Sequence, residues 1–155
     1  MLAEVDGLAV NGGSGNAGRH VMISARDLAR FALLFLNRGN WDGRQLLSPD
    51  WVNAATSVQV PGDLPLAQPE SEIDGRGVYG LNWWCNGLRP DGSRKWPGAP
   101  EDTFSASGFN NNDLFVIPEW DMVVVRLGLD QQTDGAIPDT TYGAFLGLLG
   151  EAIIE

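Results

Sequence analysis

One lysine, one histidine and one cysteine in 155 residues leave this chain short of the side chains that most often carry chemistry. A lone cysteine, Cys85, excludes an internal disulfide and a cysteine-based zinc cluster within one copy. A lone histidine, His20, excludes a histidine-rich metal site, and the acids show no Asp/Asn spacing of a calcium loop. Basic residues are scarce, ten Lys and Arg against twenty Asp and Glu, for a net charge of −10. That balance repels phosphate backbones and anionic lipid, so nucleic acid is excluded as a partner, and it suits a soluble surface that resists self-association. No apolar run approaches the roughly 20 residues of a membrane span. Met1-Leu2-Ala3-Glu4-Val5-Asp6 lacks the basic and apolar regions of an export signal. If the chain is part of a longer protein, the address of that protein stays open. Internal repeats and low-complexity tracts are also missing.

What is present suits a packed chain: 43% of residues are hydrophobic, with six Trp and six Phe. A globule of this length buries about 68–70% of its unfolded surface. The pattern predicts a single α+β domain over 1–155: loop and helices over 1–60, a loop over 61–77, antiparallel strands over 78–127 and a terminal helix over 138–155. The Gly-rich run from Gly12 to Gly18 is a loop. Ser24-Ala25-Arg26-Asp27 has capping-box spacing and opens a helix to about Arg38, with Leu28, Phe31, Ala32, Phe35 and Leu36 on its apolar stripe. Asp42-Gly43 marks a tight turn, because both residues accept positive φ. Ser48-Pro49-Asp50 starts a short helix to about Ser57. Strands are expected at Val78–Asn86, Thr103–Phe109, Leu114–Ile117 and Met122–Leu127, the last two forming a hairpin across Pro118–Asp121. Pro138-Asp139 opens the terminal helix, with Tyr142, Phe145, Leu149, Ala152 and Ile153 as its stripe. Alternation along a strand sends Trp83 and Trp84 to opposite faces.

Three motifs fail in context. Gly13-Ser14-Gly15-Asn16-Ala17-Gly18 matches G-x-G-x-x-G, but no strand precedes it and Arg19-His20-Val21-Met22 separates it from the next helix cap, so it is no dinucleotide fingerprint. Ser107 in Ser105-Ala106-Ser107-Gly108-Phe109 lacks the flanking glycines of a nucleophile elbow. His20, beside Arg19 in a Gly-rich loop, reads as a surface residue. Cys85, within Trp83-Trp84-Cys85, reads as a small buried hydrophobe.

Four stretches, in order, carry a resemblance: Gly12-Gly13-Ser14 leading to Met22-Ile23-Ser24-Ala25-Arg26-Asp27-Leu28-Ala29-Arg30-Phe31; Gly43-Arg44-Gln45-Leu46-Leu47-Ser48; Tyr79-Gly80-Leu81-Asn82-Trp83-Trp84; and Ser105-Ala106-Ser107-Gly108 running through Phe115-Val116-Ile117-Pro118-Glu119 to Met122-Val123-Val124-Val125-Arg126. Together they resemble the C-terminal portion of class C β-lactamase and penicillin-binding-type serine hydrolases, in the branch of carboxylesterases and nylon-oligomer hydrolases. The resemblance implies a partial β-lactamase/transpeptidase-like fold: an antiparallel sheet of about three to four strands with flanking helices, beside an all-helical region that this chain lacks. It implies an acyl-enzyme reaction on a small-molecule ester or amide, with no cofactor, driven by a Ser-x-x-Lys pair and a tyrosine. Neither element is present: Lys95 lies three residues after Gly92, and Tyr79 and Tyr142 stand in no Tyr-x-Asn pattern.

What the resemblance leaves to this chain is the cleft-lining strand. Ser105, Ser107, Gly108 and Phe109 are its candidate residues, with the Phe109 N–H as an oxyanion donor and Gly108 admitting substrate closely. Members of this branch commonly continue with His-Gly-Gly, where this chain has Phe109-Asn110-Asn111-Asn112. Two readings of function follow. One is the C-terminal part of a serine hydrolase, inactive by itself. The other is a non-catalytic binding or complementing module that works as a homo-oligomer or with a partner chain, for instance the missing N-terminal half. A carbohydrate surface on Trp41, Trp83, Trp84, Trp96 and Trp120 is a third.

Overall fold

The computed structural model describes residues 23–66, 73–128 and 136–153. His20 and the Gly12–Gly18 run lie outside them. Helix α1 (Ala25–Leu36) leads into a two-stranded hairpin, β1 (Asn40–Trp41) and β2 (Arg44–Gln45), and then α2 (Pro49–Ala55). Four further strands follow: β3 (Trp84–Cys85), β4 (Phe104–Gly108), β5 (Asn112–Ile117) and β6 (Met122–Arg126). Helix α3 (Asp139–Glu151) ends the described chain. The sheet order is β3-β4-β5-β6, every neighbour antiparallel.

Local chemistry sets these boundaries. The Ser24 hydroxyl accepts from Asp27 N at 3.1 Å and donates to the Asp27 carboxylate at 2.8 Å, closing the cap of α1 through side chains. The tight turn adopts φ 49° at Asp42 and 79° at Gly43, the two positive values that match hairpin twist. Ser48 caps α2, its hydroxyl accepting from Trp51 N at 3.1 Å, with Pro49 in the first turn.

The strand expected over Val78–Asn86 is only Trp84–Cys85. Asn82 takes φ 64° and Gly80 N donates to Trp83 O, so the chain turns back on itself and Tyr79 bridges to Trp84. A reversal has replaced the extended run. Four stripe residues also face outward: Phe31 is 44% exposed, although it stacks on Trp83, Phe145 is 46% exposed, and Ala152 and Ile153 at the end of α3 are exposed too. On α3 the buried positions are Gly143 and Leu146, with Tyr142 and Leu149 beside them.

Alternation along the strands divides the interior into two clusters. Phe104, Leu114 and Val116 pack with Ala32, Phe35, Val52, Ala55 and Trp83 on the α1 and α2 side. Phe115 and Ile117 pack with Trp96, Ala99 and Leu146 on the α3 side. Trp83 belongs to the first cluster and Trp84 borders the second, as the alternation predicts. Helix α3 packs backbone to backbone on the loop between β3 and β4: a Cβ on Gly98 would stand 2.1 Å from the Gly143 carbonyl oxygen, so no larger residue fits there.

Candidate functional site

Strand β4 holds three of the candidate residues, Ser105, Ser107 and Gly108, and Phe109 opens the turn after it. Its first two residues pair with β3, Ser105 with Trp84 and Phe104 with Cys85, and its whole length pairs with β5. The strand is therefore interior at its start; among the described residues, Ala106 to Gly108 has a strand on one side only. Ser105 is fully buried, its hydroxyl oxygen 3.5 Å from that of Ser107, and so lies out of reach of any ligand. Ser107 and Gly108 are exposed.

Gly108 differs from the other glycines that crowd their neighbours. A Cβ there would meet nothing nearer than the Asn112 carbonyl oxygen at 3.5 Å, an ordinary contact, and its φ is not left-handed. The chain's own packing therefore makes no demand for glycine at this position.

Beyond Gly108 the backbone turns through Phe109–Asn111, with Asn110 at φ 62° and Asn111 at φ 52°. Asparagine is the side-chain-bearing residue best suited to left-handed backbone, which is how this turn forms where the resembling family carries glycines. The asparagine amides then tie the turn down. Asn111 Oδ1 accepts from Ile137 N and Asn112 Oδ1 from Gly128 N, both at 2.8 Å, and Arg126 Nη1 donates to the Asn111 carbonyl at 2.5 Å.

Beside Ser107, on the α3 side of the sheet, lies a cavity of about 340 Å³. Asp113, the cross-strand partner of Ser107, lines it and accepts a hydrogen bond from the Tyr142 hydroxyl. Lys95 is buried there, its ammonium donating to both Asp139 carboxylate oxygens at 2.8 and 2.9 Å and lying 4.3 Å from the Trp84 ring centroid and 5.1 Å from that of Trp96. Arg89 pairs with the same Asp139. Burial holds the Lys95 ammonium below the ordinary lysine range; Asp139 pulls the other way without overcoming it.

This network went unread in the sequence, where Lys95 was judged only against the Ser-x-x-Lys spacing and its partner lies 44 positions on. The pairing register, which sets Asp113 opposite Ser107, brings the two to one face.

A larger groove of about 680 Å³ lies where β4 begins, lined by Phe35, Val52, Cys85, Arg94 and Thr103 among others, and shares no residue with the cavity beside Ser107. Cys85 in its wall is 5% exposed, and burial pushes its thiol up to about 11, so it is a poor nucleophile at neutral pH. The tryptophans form no common surface. Trp83 sits in one cluster, Trp84, Trp96 and Trp120 belong to the other, and Trp41 lies on the small hairpin, so the five tryptophans expected to form a carbohydrate surface are divided between the two faces.

No family model matches the chain. Over 117 residues it is 29% identical to the 6-aminohexanoate-dimer hydrolase of Paenarthrobacter ureafaciens, covering 74% of this chain and 26% of that protein. Over 107 residues it is 23% identical to an uncharacterized protein of Alkalihalophilus pseudofirmus, covering 69% and 30%. Its fold superposes with a TM-score of 0.50 on a Bacillus anthracis protein assigned as a 6-aminohexanoate-dimer hydrolase, at 23% identity over 84% of this chain and 28% of the other. The chain is similar in sequence to a 6-aminohexanoate-dimer hydrolase and carries part of the β-lactamase-like fold. A Bacteroides dorei protein assigned as a β-lactamase agrees, with a TM-score of 0.50 at 14% identity over 90% of this chain and 44% of the other. The chain thus spans between a quarter and a third of the length of the curated relatives it matches. The partial α+β architecture expected from the sequence, helices flanking an antiparallel sheet, is the β-lactamase-like one. No described helix is long and apolar enough to cross a membrane.

Proposed function

We propose that this chain supplies the substrate-lining strand of a β-lactamase-like serine hydrolase that cleaves a small ester or amide through an acyl-enzyme, and that by itself it does not turn over. The observation that supports this most is Gly108. It is exposed at the open end of β4, and no neighbour in the described chain explains its missing side chain. A demand from outside, a substrate lying against the strand, explains it. On this reading the Phe109 N–H, next along the chain, donates to the oxyanion, Gly108 gives access, Ser107 borders the bound group and Ser105 supports the strand from within. Loss of one oxyanion donor costs hydrolases roughly 10²–10³ in rate. The serine-lysine pair and the tyrosine come from sequence not contained in these 155 residues.

The test starts with the purified chain, p-nitrophenyl esters, nitrocefin and a serine-directed covalent probe. Neither turnover nor a labelled serine is expected; a serine of this chain acylated unaided defeats the reading. A segment carrying Ser-x-x-Lys and Tyr-x-Asn, supplied in trans, should then acquire a labelled serine, and Gly108→Val should slow that labelling about 100-fold.

A second reading, a non-catalytic module completed by a partner chain or a second copy, is favoured by one feature. Among the described residues β6 ends the sheet order and is only half-buried along its length, while Phe145 and Leu148 stand exposed on α3. Surfaces of this kind are ordinarily covered. Light scattering tests its second-copy form, which requires a concentration-dependent dimer or larger species.

A further inference from the structure

We infer that Arg126 is the positioning residue of the turn that follows β4: its guanidinium holds the peptide planes beyond Phe109 and thereby the direction of the Phe109 N–H. This rests on the proposed role of β4 and names the side chain that acts behind it.

Asn110 and Asn111 take φ 62° and 52°, two side-chain-bearing residues in succession in the left-handed region. Asparagine enters that region more readily than most residues but without the freedom of glycine, and such a backbone persists only where its surroundings over-determine it. Arg126 supplies that constraint. Its Nη1 donates to the Asn111 carbonyl oxygen at 2.5 Å and, more weakly, to that of Asn110 at 3.4 Å. Each carbonyl belongs to a planar peptide, so a held oxygen also fixes the N–H across the plane. One side chain thus sets two planes of the turn.

The shortness of the turn carries the effect back to Phe109. Gly108 and Asn112 face each other in the β4-β5 ladder, which leaves the three residues Phe109–Asn111 between pinned ends. With the planes after Asn110 and Asn111 held as well, the peptide of Phe109 keeps little freedom of its own.

Register brings the guanidinium within reach. Arg126 on β6 stands opposite Asp113, and Asp113 opposite Ser107, so the three form one row across the sheet on one face. The planar fork of arginine suits the task, because it meets more than one acceptor in a fixed geometry, whereas lysine offers a point charge on a flexible stem. Bonds from a charged donor are also stronger than those between neutral groups.

Arg126→Met keeps an apolar stem and removes the donors. In the whole chain the Ile137 and Gly128 N–H groups report on the turn, since they donate to the Asn111 and Asn112 side chains at 2.8 Å. Their hydrogen exchange should quicken about tenfold or more in Arg126→Met, as expected for loss of a charge-assisted bond. The Phe109 amide signal should move, while Leu114, Phe115 and Val116 keep their protection. With the Ser-x-x-Lys segment supplied in trans, the same substitution should lower the maximal rate constant of serine labelling about tenfold, less than outright loss of a donor. The probe concentration giving half that rate should stay the same. A side chain that only stabilised the fold would change the amount of serine labelled and leave the rate constant alone. Arg126→Lys should recover part of both effects.

Unchanged exchange at Ile137 and Gly128 in Arg126→Met overturns the inference, and so does a loosened turn with an unchanged labelling rate constant. Where Arg126→Met fails to fold, Arg126→Lys decides: values between wild type and loss are expected, and wild-type exchange with a wild-type rate constant overturns the inference. The exchange measurement needs no nucleophile. Faster exchange in Arg126→Met with no labelling of the unsubstituted complex therefore defeats the proposed reaction alone, whereas labelling of that complex with unchanged exchange defeats the role of Arg126 alone.

Discussion

The two faces of the sheet are built from alternate residues of the same strands, yet they are held together by different physics. On the α1 and α2 side, Phe104, Leu114 and Val116 meet Phe35, Val52 and Trp83, with the Trp83 ring edge-on to Phe104 at 5.0 Å. That interior is apolar and aromatic. On the α3 side, Phe115 and Ile117 share their layer with a buried lysine, two carboxylates and a tyrosine hydroxyl. Hydrophobic burial holds an element in place with little regard to direction, whereas an ion network fixes where its partners stand. The candidate site opens on the second face, where fixed polar positions are of use.

Substitutions can break this contrast. The largest effect belongs to the apolar face: Leu114→Ala, at a residue 1% exposed, should cost about 3–4 kcal/mol in urea unfolding, because the rigid aromatic surround cannot close over the lost methyls. On the ionic face Asp139→Ala should cost less, about 2–3 kcal/mol. It leaves Lys95 buried without its carboxylate, but Asp139 is itself part-exposed and the loss is screened. Lys95→Met should be nearly neutral, within about 1 kcal/mol, since it removes the buried charge and leaves Asp139 with Arg89. If Lys95→Met costs as much as Leu114→Ala, the ion network contributes stability as well as position and the contrast fails.

The smallest effect lies at the cavity rim. The Arg76 guanidinium, donating to the Asp74 carboxylate, holds its pKa down to about 2. A carboxylate depressed in the fold contributes stability above its ordinary value near 3.8, and that contribution is lost as pH falls toward 2. Side-chain NMR of Asp74 should therefore show an acid-shifted titration, and Asp74→Asn should flatten this part of the stability profile.

The helices were legible because their ends carry chemistry that acts locally: Ser24 and Ser48 each cap within three residues. The hairpin turn at Asp42-Gly43 was legible for the same reason, since φ is a single-residue property. The strands β4, β5 and β6 followed from β-branched and aromatic runs. Trp84–Cys85 did not, because the reversal at Asn82 depends on one residue taking positive φ inside an otherwise aromatic segment. At the site, the position of β4 was visible through resemblance, but the partners of Lys95 were not. A pairing across 44 residues leaves no spacing to read, and only the docking of α3 creates it. The outward turn of Phe145 belongs with this: α3 is apolar on more than one side, so periodicity alone could not choose its buried face.

The half-covered strand β6 has one more implication. Among the described residues, Met-Val-Val-Val-Arg offers a row of main-chain groups with no proline and three β-branched residues in succession, a composition receptive to a further strand. Whatever settles there determines whether the molecule remains discrete or grows by repeated addition. For concentrated preparations of this chain, turbidity over days is therefore as informative as a melting curve.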